Sequence, residues 1–286
     1  WGAAYLFMRA AVPAFGPAPL IALRMAIAVA VLLPLLMWRG GLRQLRAHPL
    51  ALLVLAVPFT ALPFLLLGFA ALHLTAGLLA VLNATAPLFA ALIAHFVFGE
   101  RLGRWRSAGL VVGFAGVALL TAGSVSFRST LGLLAVAAVL LTSMLWAVGA
   151  NYTRRRFRGM DTLALTVGSL AVASLVLAPL AAATWPTTPP PLRAWIETMF
   201  LGVGSSGLGF LLYYRLLRRI GAVRAMSVTF LNPVVALVAG ALYLDEAVDA
   251  QTLASAAVVL AGTALALGLW PTNPDVAARE TAVHRE

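Results

Sequence analysis

The stretch from Ala76 to Leu120 is echoed 146 positions further on without a gap, and no other feature of the sequence constrains the fold as much. The shift sets Pro87 on Pro233, Glu100 on Glu246, Ala108 on Ala254 and Gly116 on Gly262. Upstream in the same register, Phe64-Leu65-Leu66 falls on Phe210-Leu211-Leu212. Coincidences of alanine and leucine carry little weight in so apolar a chain. Proline, glutamate and glycine falling together in one register do. Each copy reads as an apolar helix, a short acidic turn and a second apolar helix.

Hydrophobic residues make up 62% of the chain and charged residues 10%, with mean hydropathy +0.98. A soluble fold averages about half apolar and a quarter charged, so the side chains here need a bilayer to cover them. A spanning helix takes roughly 20 mostly apolar residues. Ten such runs are predicted, at 1–12 (cut short), 17–38, 50–72, 76–98, 106–123, 129–152, 161–185, 195–217, 222–244 and 250–270. The fold class is therefore an all-α membrane protein. Its organisation is a first five-helix repeat over 1–123, a second over 129–270 and a polar tail over 271–286. The absence of cysteine excludes disulfides and thiolate metal sites.

Arginine supplies all of the basic charge, and its placement predicts orientation. The loops after helices two, four, six and eight, with the tail, hold sixteen arginines, from Arg39 to Arg285. The opposite loops hold only Arg128 and Arg193. Positive residues stay on the cytoplasmic side, so both termini are expected there. That basic charge reads as a topology signal against anionic lipid, not as a nucleic-acid surface. Five helices is an odd number, so the second copy must enter the membrane inverted. The loops exchange charge accordingly: Arg101, Arg104 and Arg106 become Ala247, Ala250 and Thr252, while Leu72, His73 and Leu78 become Arg218, Arg219 and Arg224. Inverted repeats of this kind are a usual build of secondary transporters, with the solute site between the halves near the midplane.

The turn Gly99-Glu100-Arg101-Leu102, followed by Gly109, Gly113 and Gly116, is similar to the repeat signature of EamA-type transporters in the drug/metabolite transporter superfamily. So are Leu23-Arg24 in helix two and Trp1-Gly2 in helix one. The resemblance covers essentially the whole chain and leans toward the YddG-like branch of amino-acid exporters. It departs in the second copy, which has Asp245-Glu246-Ala247-Val248 and no glycine at the position of Gly109. The resemblance implies export of small metabolites, amino acids among them, through a central cavity in a bacterial inner membrane.

Polar and aromatic side chains at mid-depth are the candidates for contact with a solute. Helix three offers Phe59 and Thr60 between Pro58 and Pro63, and proline there frees carbonyls that need a partner. Helix four offers Asn83 and Pro87, and helix nine offers Thr229, Asn232 and Pro233. Helix six adds Thr142, Ser143 and Trp146. Helix eight adds Ser205 and Ser206 within a glycine-rich run from Gly202 to Gly209, then Tyr213 and Tyr214 beyond it. Serine, threonine and glycine in membrane helices also serve close helix packing, whereas an asparagine in hydrocarbon is costly and marks a cavity. The four prolines read as kinks or hinges. His73 lies in the turn between helices three and four, at the expected outer mouth. Trp38, Trp105, Trp185, Trp195 and Trp270 lie at helix ends and read as interfacial anchors.

The charged residues narrow the chemistry. Arg9 and Arg24 lie within about 10 Å of the outer surface by helix rise, so both are expected to snorkel there as anchors. Glu100 and Glu246 are expected to cap the starts of helices five and ten. All nine carboxylates fall in loops, helix ends or the tail, leaving no ionisable acid at depth for proton or sodium coupling. A phosphate-bearing solute would want several cavity cations, and a cationic drug a buried carboxylate. The expectation is a small neutral or zwitterionic solute, an amino acid with an apolar or aromatic side chain, moved by alternating access without visible ion coupling. A multidrug or other metabolite exporter, or a passive channel, stays open as an alternative. An intramembrane enzyme would need a nucleophile–base pair or metal cluster at depth, and no catalytic residue, metal ligand set or cofactor site is read here. The partners expected are a small-molecule solute and lipid, with no nucleic acid.

Overall fold

The structure, a computed structural model, describes residues 1–99, 102–123, 129–221, 225, 228 and 230–268. Glu100, Arg101, Arg128, Arg224, Thr229, Trp270 and the tail over 271–286 lie outside them.

The described chain is helical throughout. Its longer helices are α1 (Gly2–Phe15), α2 (Pro17–Trp38), α3 (Pro49–His73), α4 (Ala76–Phe98), α5 (Arg104–Gly123), α6 (Thr130–Arg156), α7 (Thr162–Ala183), α8 (Leu192–Ile220), α9 (Leu231–Tyr243) and α10 (Ala250–Ala266), and a short helix, Leu42–Ala47, lies between α2 and α3. Among the described residues, seven of these, α2 to α8, are long and apolar enough to cross a membrane. The other two apolar helices, α9 and α10, are shorter, and α1 has 14 residues. Local chemistry sets the boundaries. Thr75, Ser129, Asp161 and Asp249 sit at N-caps, where each side chain accepts a bond from a free amide of the first turn. Pro17 and Pro49 open their helices, where the missing amide costs nothing. Arg154, Arg155 and Arg156 extend α6 past its expected end at 152, complementing the negative end of the helix dipole.

One expectation about the turns is corrected. Glu246 does not cap α10, because that helix begins four residues later and Asp249 caps it, accepting from the Thr252 amide at 2.7 Å. The intervening turn passes through Asp245 in the left-handed region, φ 51°. Glu246 there reaches the start of α4, where its carboxylate accepts from the Ala76 amide at 2.9 Å. Arg9 of α1 lies 3.6 Å from the same carboxylate. Burial pushes the Glu246 carboxyl above its usual range, and the Ala76 amide and Arg9 pull against that shift.

Packing follows the small residues. Helices α5 and α10 run antiparallel in close contact, with Gly113 against Gly262 and Gly116 against Val259. A Cβ on Gly262 would collide with the Gly113 backbone, so the crossing depends on that absence. Helix α2 packs on α7 and α8, α3 on α6 and α7, and α1 on α8 and α9. The buried core runs continuously through α1, α2, α3, α4, α6, α7 and α8. Large apolar side chains such as Leu50, Leu175 and Leu242 remain exposed on the outer faces, where acyl chains would cover them.

Candidate functional site

Two helices carry a local defect at the same relative position. In α3 the segment Val57–Ala61 widens to π-helical hydrogen bonding, with the Leu62 amide bonded to the Val57 carbonyl. In α8 the segment Leu201–Leu208 does the same, and the Gly209 amide bonds to the Gly204 carbonyl. An extra residue per turn swings the neighbouring side chains round and commonly marks a functional position. Helix α4 is interrupted at Ala84–Thr85, between Asn83 and Pro87, since proline supplies no amide to the preceding turn.

Between these three defects lies a cavity of about 70 Å³. Its wall is almost wholly apolar and unusually aromatic, with Trp1, Tyr5, Phe59, Phe64, Trp146, Phe210, Tyr213 and Tyr214 around it. Polar groups meet on one side. Asn83 donates through Nδ2 to the Tyr5 hydroxyl at 2.6 Å, and the Ser143 hydroxyl donates to Asn83 Oδ1 at 3.2 Å. Asn232 of α9 lines the same cavity. A second hollow, of about 290 Å³, adjoins the first through Thr153 and Tyr214 and is edged by Arg154, Arg158 and Arg218. The cavity therefore continues toward the arginine-rich ends of α6 and α8. At the other end of the molecule, Arg9, Glu246 and the start of α4 are tied together.

The structure gathers part of the expected residue set. Trp146, Asn83, Phe59, Ser205, Asn232 and Tyr213 line the cavity. Thr60, Thr142, Ser143 and Ser206 are buried behind it. Thr60 bonds to the Leu55 carbonyl and Thr142 to the Pro63 carbonyl, Ser143 supports Asn83, and Ser206 receives a bond from Arg24. His73 stands at the end of α3 with its ring against Phe69, away from the cavity. Of the prolines, Pro58 lies inside the widened turn of α3 and Pro63 just beyond it. Pro87 follows the break in α4, and Pro233 sits in the first turn of α9.

Arg24 overturns its expected role. It does not snorkel, because the widened turn of α8 packs over α2 and closes the route to the surface, leaving its side chain 0% exposed. Its Nε donates to Ser206 Oγ at 2.8 Å and its Nη2 to Ser205 Oγ at 2.9 Å. The Phe64 ring lies over the guanidinium with its centroid 4.4 Å away. Arg24 lines the cavity, and so do Tyr5, Phe64 and Phe210, none of which was among the expected residues, while Tyr214, a candidate together with Tyr213, lines it too. The signal for Arg24 was present: a cation inside a 22-residue apolar helix marks a site more often than an anchor. The aromatics carried no such signal, since single rings in an apolar helix read as core.

The comparisons with known proteins agree with this architecture. The chain matches the EamA-like transporter family over residues 1–122 and 133–268. It is 27% identical over 267 residues to a probable terminal-alkyne amino-acid exporter of Streptantibioticus cattleyicolor, covering 93% of this chain and 89% of that protein. It is 28% identical over 288 residues to YedA, an uncharacterized inner membrane transporter of Escherichia coli K12, covering 97% and 91%. A solved crystal structure, 22% identical, superposes with a TM-score of 0.70 over 93% of this chain and 95% of that one, which shows a shared fold. Apolar spans, cavity and family match lead to one conclusion: this multi-pass membrane protein belongs to the EamA-like transporter family.

Proposed function

We propose that the chain is an exporter of small zwitterionic metabolites, amino acids with apolar or aromatic side chains above all, in a bacterial inner membrane. It works by alternating access between two inverted five-helix halves, with both termini cytoplasmic and ten crossings. The observation that carries the reading is the cavity itself: an aromatic box with one cluster of amide and hydroxyl groups, placed among breaks in three helices.

The packing supports the inversion. Under the 146-residue shift, the approach of Gly113 to Gly262 exchanges with that of Gly116 to Val259, and both occur. The contact of α2 with α8 exchanges likewise with that of α7 with α3, and α1 on α9 with α6 on α4. Glu246 sits against Ala76 at one end of α4, while Gly99, the neighbour of its sequence counterpart, ends the same helix at the other. The two family matches, one to each half, and the amino-acid exporter among the relatives point the same way. In this orientation the cavity continues toward the cytoplasm, and the Arg9–Glu246–Ala76 contact closes the outer face.

The test is counterflow in proteoliposomes with a radiolabelled amino-acid panel. Saturable uptake that accelerates with unlabelled substrate inside is expected, whereas a pore would neither saturate nor exchange. Trp146→Ala and Asn83→Ala should each cut uptake at least tenfold at equal expression. Strong dependence on an imposed proton gradient would overturn the uncoupled cycle.

A further inference from the structure

Arg24 is buried, and no acid pairs with it among the described residues. Among the described residues the ion pairs are Arg9 with Glu246 and Arg193 with Glu197, and neither involves Arg24. Its neighbours are two neutral serine hydroxyls and the face of Phe64. Its Nη1, buried like the rest of the side chain, has no hydrogen-bond partner among the described residues. A buried guanidinium in that state is costly, and the cost is met only when an anion completes it. The fold does not demand a charge at this depth: the 146-residue shift sets Arg24 on Leu170, itself fully buried in α7. Nor do the partners look like chance. Ser205 and Ser206 stand on the widened turn of α8, and their hydroxyls occupy the Nε and one edge of the guanidinium, leaving Nη1 to face something else. Arg24, Phe64 and Ser205 all border the cavity.

We propose that Arg24 is the receptor for a carboxylate on the transported solute. This rests on the transporter reading above and deepens it, because it fixes one end of the solute chemically. Guanidinium matches carboxylate through charge-assisted, often bidentate hydrogen bonds. Nη1 is closed off in this structure, so the Phe64 ring over the guanidinium turns aside for loading. The aromatic wall then receives the rest of the solute, an ammonium over a ring face and an apolar side chain against ring and aliphatic surface. In the loaded site the guanidinium is paired by the carboxylate and the remaining positive charge sits on the solute's ammonium over a ring face, whereas the empty carrier must reorient with the buried guanidinium unpaired. Exchange therefore outruns net flux, without a coupling ion.

The experiment uses the full chain, purified and reconstituted, with L-phenylalanine, L-phenylalaninamide and 3-phenylpropanoate as probes. Thermal melting in detergent and competition against counterflow are the readouts. Both carboxylates are expected to raise the melting temperature. The amide is expected to compete roughly 10- to 100-fold more weakly than the acid, the loss of one charge-assisted pair. Arg24→Met should abolish the response to both carboxylates. If that variant does not fold, Arg24→Lys should keep a weakened preference for acid over amide. Equal responses to acid and amide, with amino acids still moved, would overturn the Arg24 assignment and leave the amino-acid reading intact. An equal response to sodium chloride would make this a halide site and overturn it too. A response to 3-phenylpropanoate without one to L-phenylalanine would keep Arg24 and remove the amino-acid reading. No response to any carboxylate would remove both.

Discussion

Helices α3 and α8 occupy equivalent positions under the 146-residue shift, and each carries its π-helical turn at the same place, yet by different means. In α3 the turn contains Pro58 and is followed by Pro63, both of which withhold backbone donors. In α8 the equivalents are Gly204 and Gly209, which weaken a helix by chain entropy instead. The difference extends to what each turn does. Thr60 spends its hydroxyl on the Leu55 carbonyl of its own helix, at 3.4 Å. Its counterpart Ser206 receives the Arg24 guanidinium at 2.8 Å. Gly209 lets the Trp1 indole approach so closely that a Cβ would lie 2.6 Å from Trp1 Nε1, and that nitrogen donates to the Ser205 carbonyl. Proline makes the turn of α3 a stiff wall. Glycine makes the turn of α8 a surface that other helices can approach and bind. Two repeats can share a backbone defect while only one of them carries a charge.

The largest test of that asymmetry copies the charge into the other half. Leu170→Arg places a guanidinium where the opposite turn offers Thr60, whose hydroxyl already has a partner, and no serine pair. A buried charge without compensation is expected to cost more than about 3 kcal/mol. Folded protein recovered from membranes should fall accordingly, measured by monodisperse yield and melting temperature. A variant as stable as the parent would mean that the surroundings of Arg24 are not specially built.

A smaller effect separates the two hydroxyls. Ser206→Ala removes a bond to a charged donor, worth about 2 kcal/mol, and leaves the guanidinium with Ser205 alone. Thr60→Val removes one long bond within a single helix and should cost under about 0.5 kcal/mol. The measurement is the difference in unfolding midpoint in detergent. Equal losses would break the comparison.

The sequence made the apolar spans legible because hydrocarbon leaves little choice of residue over 20 positions. Observed α2 begins and ends where its apolar run does, and α7 differs by one residue at its start and two at its end. Asn83 and Asn232 stood out because an amide is costly in hydrocarbon, and Trp146 because it lies too deep for an interfacial belt; all three line the cavity. What escaped is whatever depends on the neighbour. Arg24 lies close enough to a helix end to snorkel, and only the packing of α8 over it removes that route. Glu246 looked like a cap for the helix that follows it and caps another one, because the turn at Asp245 redirects it. Tyr5, Phe64 and Phe210 become cavity wall only once three helices have been placed.

The finest test concerns Gly204, which faces Pro58 in the shifted register. A Cβ there meets nothing within 4 Å, so alanine fits without displacement. Replacing a helical glycine by alanine adds about 0.5–1 kcal/mol through reduced chain entropy, so Gly204→Ala should raise the melting temperature slightly. If the π-helical turn of α8 changes shape as the carrier reorients, the same substitution should slow counterflow severalfold while half-saturation stays put. Stability gained with turnover lost would assign the glycine to movement, and would set α8 apart from its proline-stiffened counterpart as the helix that moves. Stability gained with turnover intact would make both turns static walls, leaving Arg24 as the feature that distinguishes them.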